Sequence, residues 1–155
     1  VDGQLWSPQV RWGQRAGYEV SGTLCPALST LRNQLIVIKR DLHHVPLAQV
    51  WRDIASQVDA LTLAAVLGKG PITLSGAKQW RHDCEAVASV FLPFTRRPLS
   101  VLRRIEQASG LLALPRKEVL RLAEAVSGGG EGGREVSSLS REQVMALVRQ
   151  RSEAR

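Results

Sequence analysis

The side chains of this 155-residue chain with chemistry to offer are three histidines, two cysteines and fourteen carboxylates. Their spacing assembles nothing obvious. His43 and His44 are adjacent, so on a helix they would point about 100° apart, whereas two zinc ligands on one helix sit at i and i+4. His82, followed by Asp83, lies far along the chain. We read the three as helix-end and surface histidines. Cys25 and Cys84 form no Cys-x-x-Cys motif, cannot make a dense disulfide framework, and leave a reducing compartment as the default. Cys84 stands between Trp80 and Val87 at helical spacing and reads as a small core hydrophobe. Asp53, Asp59 and Glu85 fall beside apolar positions rather than among them. General acid/base work needs paired acids in contrasting environments, and no such pair is placed here.

Gly68-Lys69-Gly70-Pro71-Ile72-Thr73 fails as a phosphate loop. That motif needs Gly, four residues, then Gly-Lys-Ser/Thr after a strand, and here Lys69 precedes Gly70 and follows a helical pattern. It reads as an inter-helix turn. The expectation is a non-enzyme with no catalytic, cofactor-binding or metal-ligating residues.

What remains is basic charge. The net charge is +7 and the pI about 10.4, which invites a nucleic-acid or anionic-membrane reading. The charge is spread evenly, however, with 8 Lys and Arg against 5 Asp and Glu over residues 1–80, and 13 against 9 over the rest. The one local concentration is Arg96-Arg97 with Arg103-Arg104, joined by Lys78 and Arg81. These six form a candidate patch for phosphate or for an acidic partner helix, against the alternative of ordinary solvated charge.

The elements that must position these residues are helices. Leu24, Leu28, Leu31, Leu35, Ile38 and Leu42 step by 4, 3, 4, 3, 4, which predicts a heptad stripe on a helix from about 24 to 43. Pro26 fits only its first turn. Pro46 marks a fresh start, and Leu47, Trp51, Ile54, Val58, Leu61 and Ala65 repeat the same steps. A connection this short makes the two antiparallel. Ser75 is a candidate N-cap for a third helix carrying Trp80, Cys84, Val87, Phe91 and Phe94, which ends near Pro93. Pro98 opens a fourth with Leu99, Leu102, Ile105 and Ser109 inward, and Gly110 is its candidate C-cap. Pro115 opens a fifth with Val119, Leu122, Ala123 and Val126 inward. Ser140-Arg141-Glu142-Gln143 is a capping box for a sixth, with Val144, Leu147, Val148 and Arg151 at helical spacing. No segment sustains strand alternation.

The fold class is therefore all-α, an antiparallel bundle of about six helices. Hydrophobic residues make up 44% and charged residues 23%, the balance of a chain able to bury its own core. Residues 1–20, with Trp6 and Trp12, read as an irregular lead-in to a bundle over 21–155. Residues 127–134, Ser-Gly-Gly-Gly-Glu-Gly-Gly-Arg, read as a flexible loop. The longest apolar stretch, Ala60 to Gly68, falls short of the ~20 residues a membrane span needs. The chain opens on Val1 without a signal pattern and is expected to be a fragment of a longer one.

From Leu28 to about Arg151 the order and spacing resemble the C-terminal region of the RINT/TIP family of vesicle-tether subunits. The resemblance rests on Leu31-Arg32-Asn33-Gln34-Leu35, then Trp51 and Val58-Asp59-Ala60-Leu61. Next comes Leu74-Ser75-Gly76-Ala77-Lys78-Gln79-Trp80 with Asp83. Val90-Phe91-Leu92-Pro93-Phe94, Arg96-Arg97-Pro98 and Leu139-Ser140-Arg141-Glu142-Gln143-Val144 follow in the same order. Gly76 stands alone where the family commonly has two glycines, and Leu99 where a Glu is usual.

The resemblance implies the end of a stacked helical-bundle rod, as in the exocyst and conserved oligomeric Golgi tethers. It implies a subunit of an NRZ/Dsl-type complex, cytoplasmic and peripheral at the endoplasmic reticulum, which joins sister subunits and SNARE proteins in Golgi-to-ER traffic. No enzyme activity and no cofactor come with it. Some members are linked to DNA-repair and checkpoint partners, which keeps a basic module associated with nucleic acid or repair factors as the alternative. Against that alternative, the seven aromatics fall mostly on core stripes and no compact basic run is present. A groove-docked partner helix, driven by apolar burial with Arg at the rim, is the expected mode of interaction.

Overall fold

The computed structural model describes residues 19–127 and 138–151. Among them run six α-helices: α1 (Cys25–Asp41), α2 (His44–Leu67), α3 (Leu74–Ser89), α4 (Arg103–Leu112), α5 (Arg116–Ser127) and α6 (Arg141–Gln150). A short 3-10 turn, Pro98–Ser100, precedes α4. No strand occurs among the described residues; an isolated parallel bridge joins Ile72 to Arg151. The all-helical architecture expected from the periodicity is the one observed. The lead-in tryptophans Trp6 and Trp12, the glycines of 128–134 and the side chain of Val126 lie outside the described residues.

Only Leu42 and His43 separate α1 from α2, so the two fold back on each other. Pro26 stands in the first turn of α1, where its missing N–H leaves no bond unmade. Leu28 and Leu35, seven apart, are buried, while Leu24, Leu31 and Ile38 are half-buried. α2 starts two residues before Pro46, with the His43 carbonyl accepting from Leu47 N–H at 3.0 Å. Pro46 still falls among the N–H groups that have no helical partner.

The heptad expected on α2 does not hold to its end. Leu61 is 68% exposed and Ala65 is exposed, while Trp51, Ala55, Asp59, Leu63 and Val66 face inward. A straight helix drifts about 20° per heptad from a 3.5-residue repeat. Over the 24 residues of α2 the buried face therefore rotates off the stripe that Leu47 begins. Asp59, read from the sequence as lying beside the core, is carried into it at 5% exposure.

α3 is capped by Thr73 and not by Ser75. The Thr73 Oγ1 accepts from Gly76 N–H at 3.1 Å from an extended backbone, so Ser75 falls inside the first turn. Trp80, Cys84, Val87 and Phe91 form its buried stripe, as the spacing predicts. Past Ser89 the chain continues in tighter i→i−3 turns to Phe94, whose ring stacks on Trp51 at 5.6 Å between centroids.

α4 is short but central, packing against α3, α2 and α6. Gly110 is inside it rather than its cap. Leu111 and Leu112, 5% and 0% exposed, hold one further turn in the core. Burial worth ~1.5–3 kcal/mol per such side chain outweighs the ~1 kcal/mol that glycine costs inside a helix. The capping box of α6 is present in both directions, with Ser140 Oγ accepting from Gln143 N–H at 3.2 Å and Gln143 Oε1 from Ser140 N–H at 2.9 Å.

Candidate partner-docking groove

The outer face of α3 and the return of the chain into α4 make a groove of about 590 Å³. Its apolar part is Ala88, Leu92, Pro98 and Leu99. Leu92 is 55% exposed, an unusual position for a leucine between two helices. Arg96, Arg97 and Arg103 line the groove, as do Glu85 and Glu106.

Local hydrogen bonds shape the bend. Thr95 Oγ1 accepts from Arg97 N–H at 3.2 Å, and the Arg97 carbonyl accepts from Ser100 N–H at 3.0 Å and Ser100 Oγ at 2.7 Å. The Ser100 carbonyl in turn accepts from Arg103 Nε at 3.1 Å, laying that side chain along the wall. Pro98 pre-sets the backbone of the 3-10 turn. Arg96 and Arg97 are both exposed at this corner.

Of the six basic residues singled out in the sequence, three line this groove and three do not. Lys78 and Arg81 are exposed on α3 toward its start. Arg81 reaches Glu85 one turn on, at 3.9 Å between exposed side chains, a pair that contributes little. Arg104 is exposed, and its main-chain N–H is bound by Asp59 Oδ2 at 3.2 Å. The patch is thus a groove rim that also carries Glu85 and Glu106, not a continuous basic face.

The histidines and cysteines stay apart. Among the described residues no three His, Cys, Asp or Glu side chains are grouped to hold a metal ion. His43 and His44 are exposed where α2 starts. His82, read as a surface histidine, is instead buried at 7% exposure, and its Nε2 has no hydrogen-bond partner. Cys84 is a core residue; burial above all, then the charges of Asp83, Asp59 and Glu85, push its thiol pKa far above the ordinary range. A thiol so raised is not a nucleophile at neutral pH.

Sequence reading missed the polar side chains that lock this scaffold. Asp83 accepts from Ser21 N–H at 2.9 Å, Ser21 Oγ at 2.6 Å and Gln79 Nε2 at 3.1 Å, while Gln79 also donates to the Glu19 carbonyl at 2.7 Å. The Gln79 and Asp83 of the family-like segment therefore clip the chain before α1 onto α3. Their i, i+4 spacing was the available signal. At the other end, Gln150 Nε2 donates to the carbonyls of Val66, Leu67 and Lys69 at 2.8, 2.9 and 2.6 Å. Arg151, fully buried, sends its guanidinium to the Leu112 carbonyl. The end of α6 thus binds carbonyls at the ends of both α2 and α4, where the last turns of a helix run out of helical N–H partners; the Val66 carbonyl also accepts from Lys69 N–H at 3.1 Å.

The chain is 26% identical over 112 residues to the RINT1-like protein MAG2 of Arabidopsis thaliana, a match covering 70% of this chain and 14% of that protein. No solved structure matches it. The sequence profile of the RINT-1/TIP-1 family matches residues 4–153, nearly the whole length, and on that match the chain belongs to the RINT-1/TIP-1 family.

Proposed function

We propose that this chain is a non-enzymatic helical interaction domain of a vesicle-tethering-complex subunit in Golgi-to-ER membrane traffic. In this reading it binds sister tether subunits and SNARE proteins, and sits peripherally at the endoplasmic reticulum through those partners. The family match across residues 4–153 carries the reading. The α3–α4 groove supports it, because an apolar cleft with Leu92 exposed and arginines at its rim suits a docked helix better than a small substrate. No helix among the described residues is long and apolar enough to cross a membrane, so attachment through partners is the mode proposed.

The test is cross-linking and pull-down of the full-length protein from cell extract, repeated with Leu92→Asp and with Arg96→Glu plus Arg97→Glu. Recovery of tether subunits and SNAREs, lost in the variants, is the expected result. Recovery of DNA-repair factors alone would favour the nucleic-acid alternative. So would a steep fall of affinity with salt, since each neutralised phosphate adds about one to the log–log slope. Groove docking gives a shallow slope.

A further inference from the structure

The charges around the α3–α4 groove are not mixed at random. One wall runs outward along α3 from Glu85 to Ser89 and on through the tighter turns to Leu92, a rise of about 10 Å at near-helical spacing. The chain turns at Arg96 and Arg97, then returns through Leu99 and Ser100 to Arg103 and Glu106 on α4. Both acids therefore lie toward the end remote from the turn, with Arg103 one helical turn before Glu106, and the arginine pair lies at the turn itself. Leu92 and Leu99 stand between them.

We propose that the groove accepts a partner helix in one direction only, with the acidic C-terminal end of that helix at Arg96 and Arg97. This rests on reading the groove as a docking site and adds a polarity to it. A helix carries about half a negative charge at its C-terminus and half a positive charge at its N-terminus. Laid this way, its negative end meets Arg96 and Arg97 while its positive end meets Glu85 and Glu106. Reversed, both ends meet like charge. Two apolar side chains of the occupant, three or four residues apart, face Leu92 and Leu99.

Acidic residues in a last turn weaken a free helix, since they oppose its dipole. Arginines supplied from outside remove that penalty, so docking also orders the end of the occupant. A bilayer is the poorer fit. The site is concave, and Glu85 and Glu106 would face anionic headgroups.

The test uses the full chain and two fluorescent synthetic helices of about four turns and identical composition. One carries its lysines in the first turn and its glutamates in the last; the other reverses them. Both carry a central leucine pair at i and i+4. Anisotropy at low salt is expected to show the peptide with the acidic C-terminal end binding about tenfold more tightly, the size of a few rim charges and a helix end together. Arg96→Glu with Arg97→Glu removes that preference, and adding Glu85→Lys with Glu106→Lys inverts it. All four side chains are exposed, so circular dichroism of the variants should be unchanged.

Equal affinity for the two peptides, with both weakened by Leu92→Asp, overturns the polarity and leaves the groove as a docking site. Peptide binding indifferent to Leu92→Asp, or none at all, overturns the docking reading as well. Failure of both peptides, with binding to phosphatidylcholine–phosphatidylserine vesicles lost in Arg96→Glu/Arg97→Glu, assigns the arginines to a lipid surface instead.

Discussion

Asp59 of α2 holds the first turn of α4: its Oδ1 accepts the main-chain N–H of Ile105, 46 residues further along, at 2.9 Å. Its Oδ2 accepts from Arg104 N–H at 3.2 Å. These are the second and third residues of α4, the two whose N–H groups a helix's own N-cap side chain would take. Leu102, in the capping position, has no side chain able to do so. A carboxylate from a neighbouring helix fills the role and also lies at the positive end of the α4 dipole.

Asp59→Ala is expected to destabilise the fold by about 2–3 kcal/mol, combining the loss of a cap with two N–H groups left unpaired near the core. Asp59→Asn, which keeps one good acceptor, should lose less. Urea denaturation with an unchanged m-value checks both. A loss below ~0.5 kcal/mol in the alanine variant would show that water replaces the carboxylate.

Gln150 is satisfied as a donor, its amide nitrogen facing three carbonyls at the end of α2. Gln150→Glu replaces that donor with acceptors and is expected to cost more than Gln150→Ala, about 3 against about 2 kcal/mol. Thermal melts of the two variants check the order. The reverse order would mean that packing, and not hydrogen bonding, holds this contact.

Gly110 lies inside α4, and a Cβ there would meet nothing within 4 Å. Gly110→Ala should therefore stabilise the protein by about 0.5–1 kcal/mol, by lowering the conformational entropy of the unfolded chain. Calorimetry would register a rise in Tm of about 1–4 °C. A fall in Tm would place a close neighbour at this position.

The two thiols should behave oppositely toward iodoacetamide. Cys25 is exposed and Cys84 is 1% exposed, with its pKa raised chiefly by burial. Mass spectrometry should find one alkylated cysteine in the native protein and two after denaturation. Because Cys84 ionises only when unfolded, stability should fall as pH rises through its unfolded pKa of about 8.5. Cys84→Ala should flatten that alkaline slope.

Much of the fold was legible because its causes are local. Leucine ridges at three and four spacing, prolines in first turns and the Ser140–Gln143 box each act within a few residues, and five of the six helices start within two residues of where those signals place them; the fourth does not, because Pro98 opens a 3-10 turn and α4 begins only at Arg103. The errors share one origin. Ser75 yielded to Thr73 as a cap, Gly110 was absorbed into α4, and Leu61 turned outward. In each case a neighbouring element, or drift along a long helix, decided between options that were locally near-equal. At the groove the arginine pair was visible as composition. That Glu85 and Glu106 share its groove, and that Leu92 stands open there, was not.

By itself the sequence determined that this chain is a helical bundle, since apolar periodicity dictates which surface each segment must bury. It also carried the resemblance to the family whose profile matches residues 4–153. Only the tertiary structure decided that Asp59 caps a helix 46 residues away, that Gln150 and Arg151 close the ends of two others, and that Arg96, Arg97 and Arg103 share one groove while Lys78, Arg81 and Arg104 stay outside it. Those relationships depend on which helix crosses which and at what rotation, and such long-range geometry emerges only when all the helices compete for the same core.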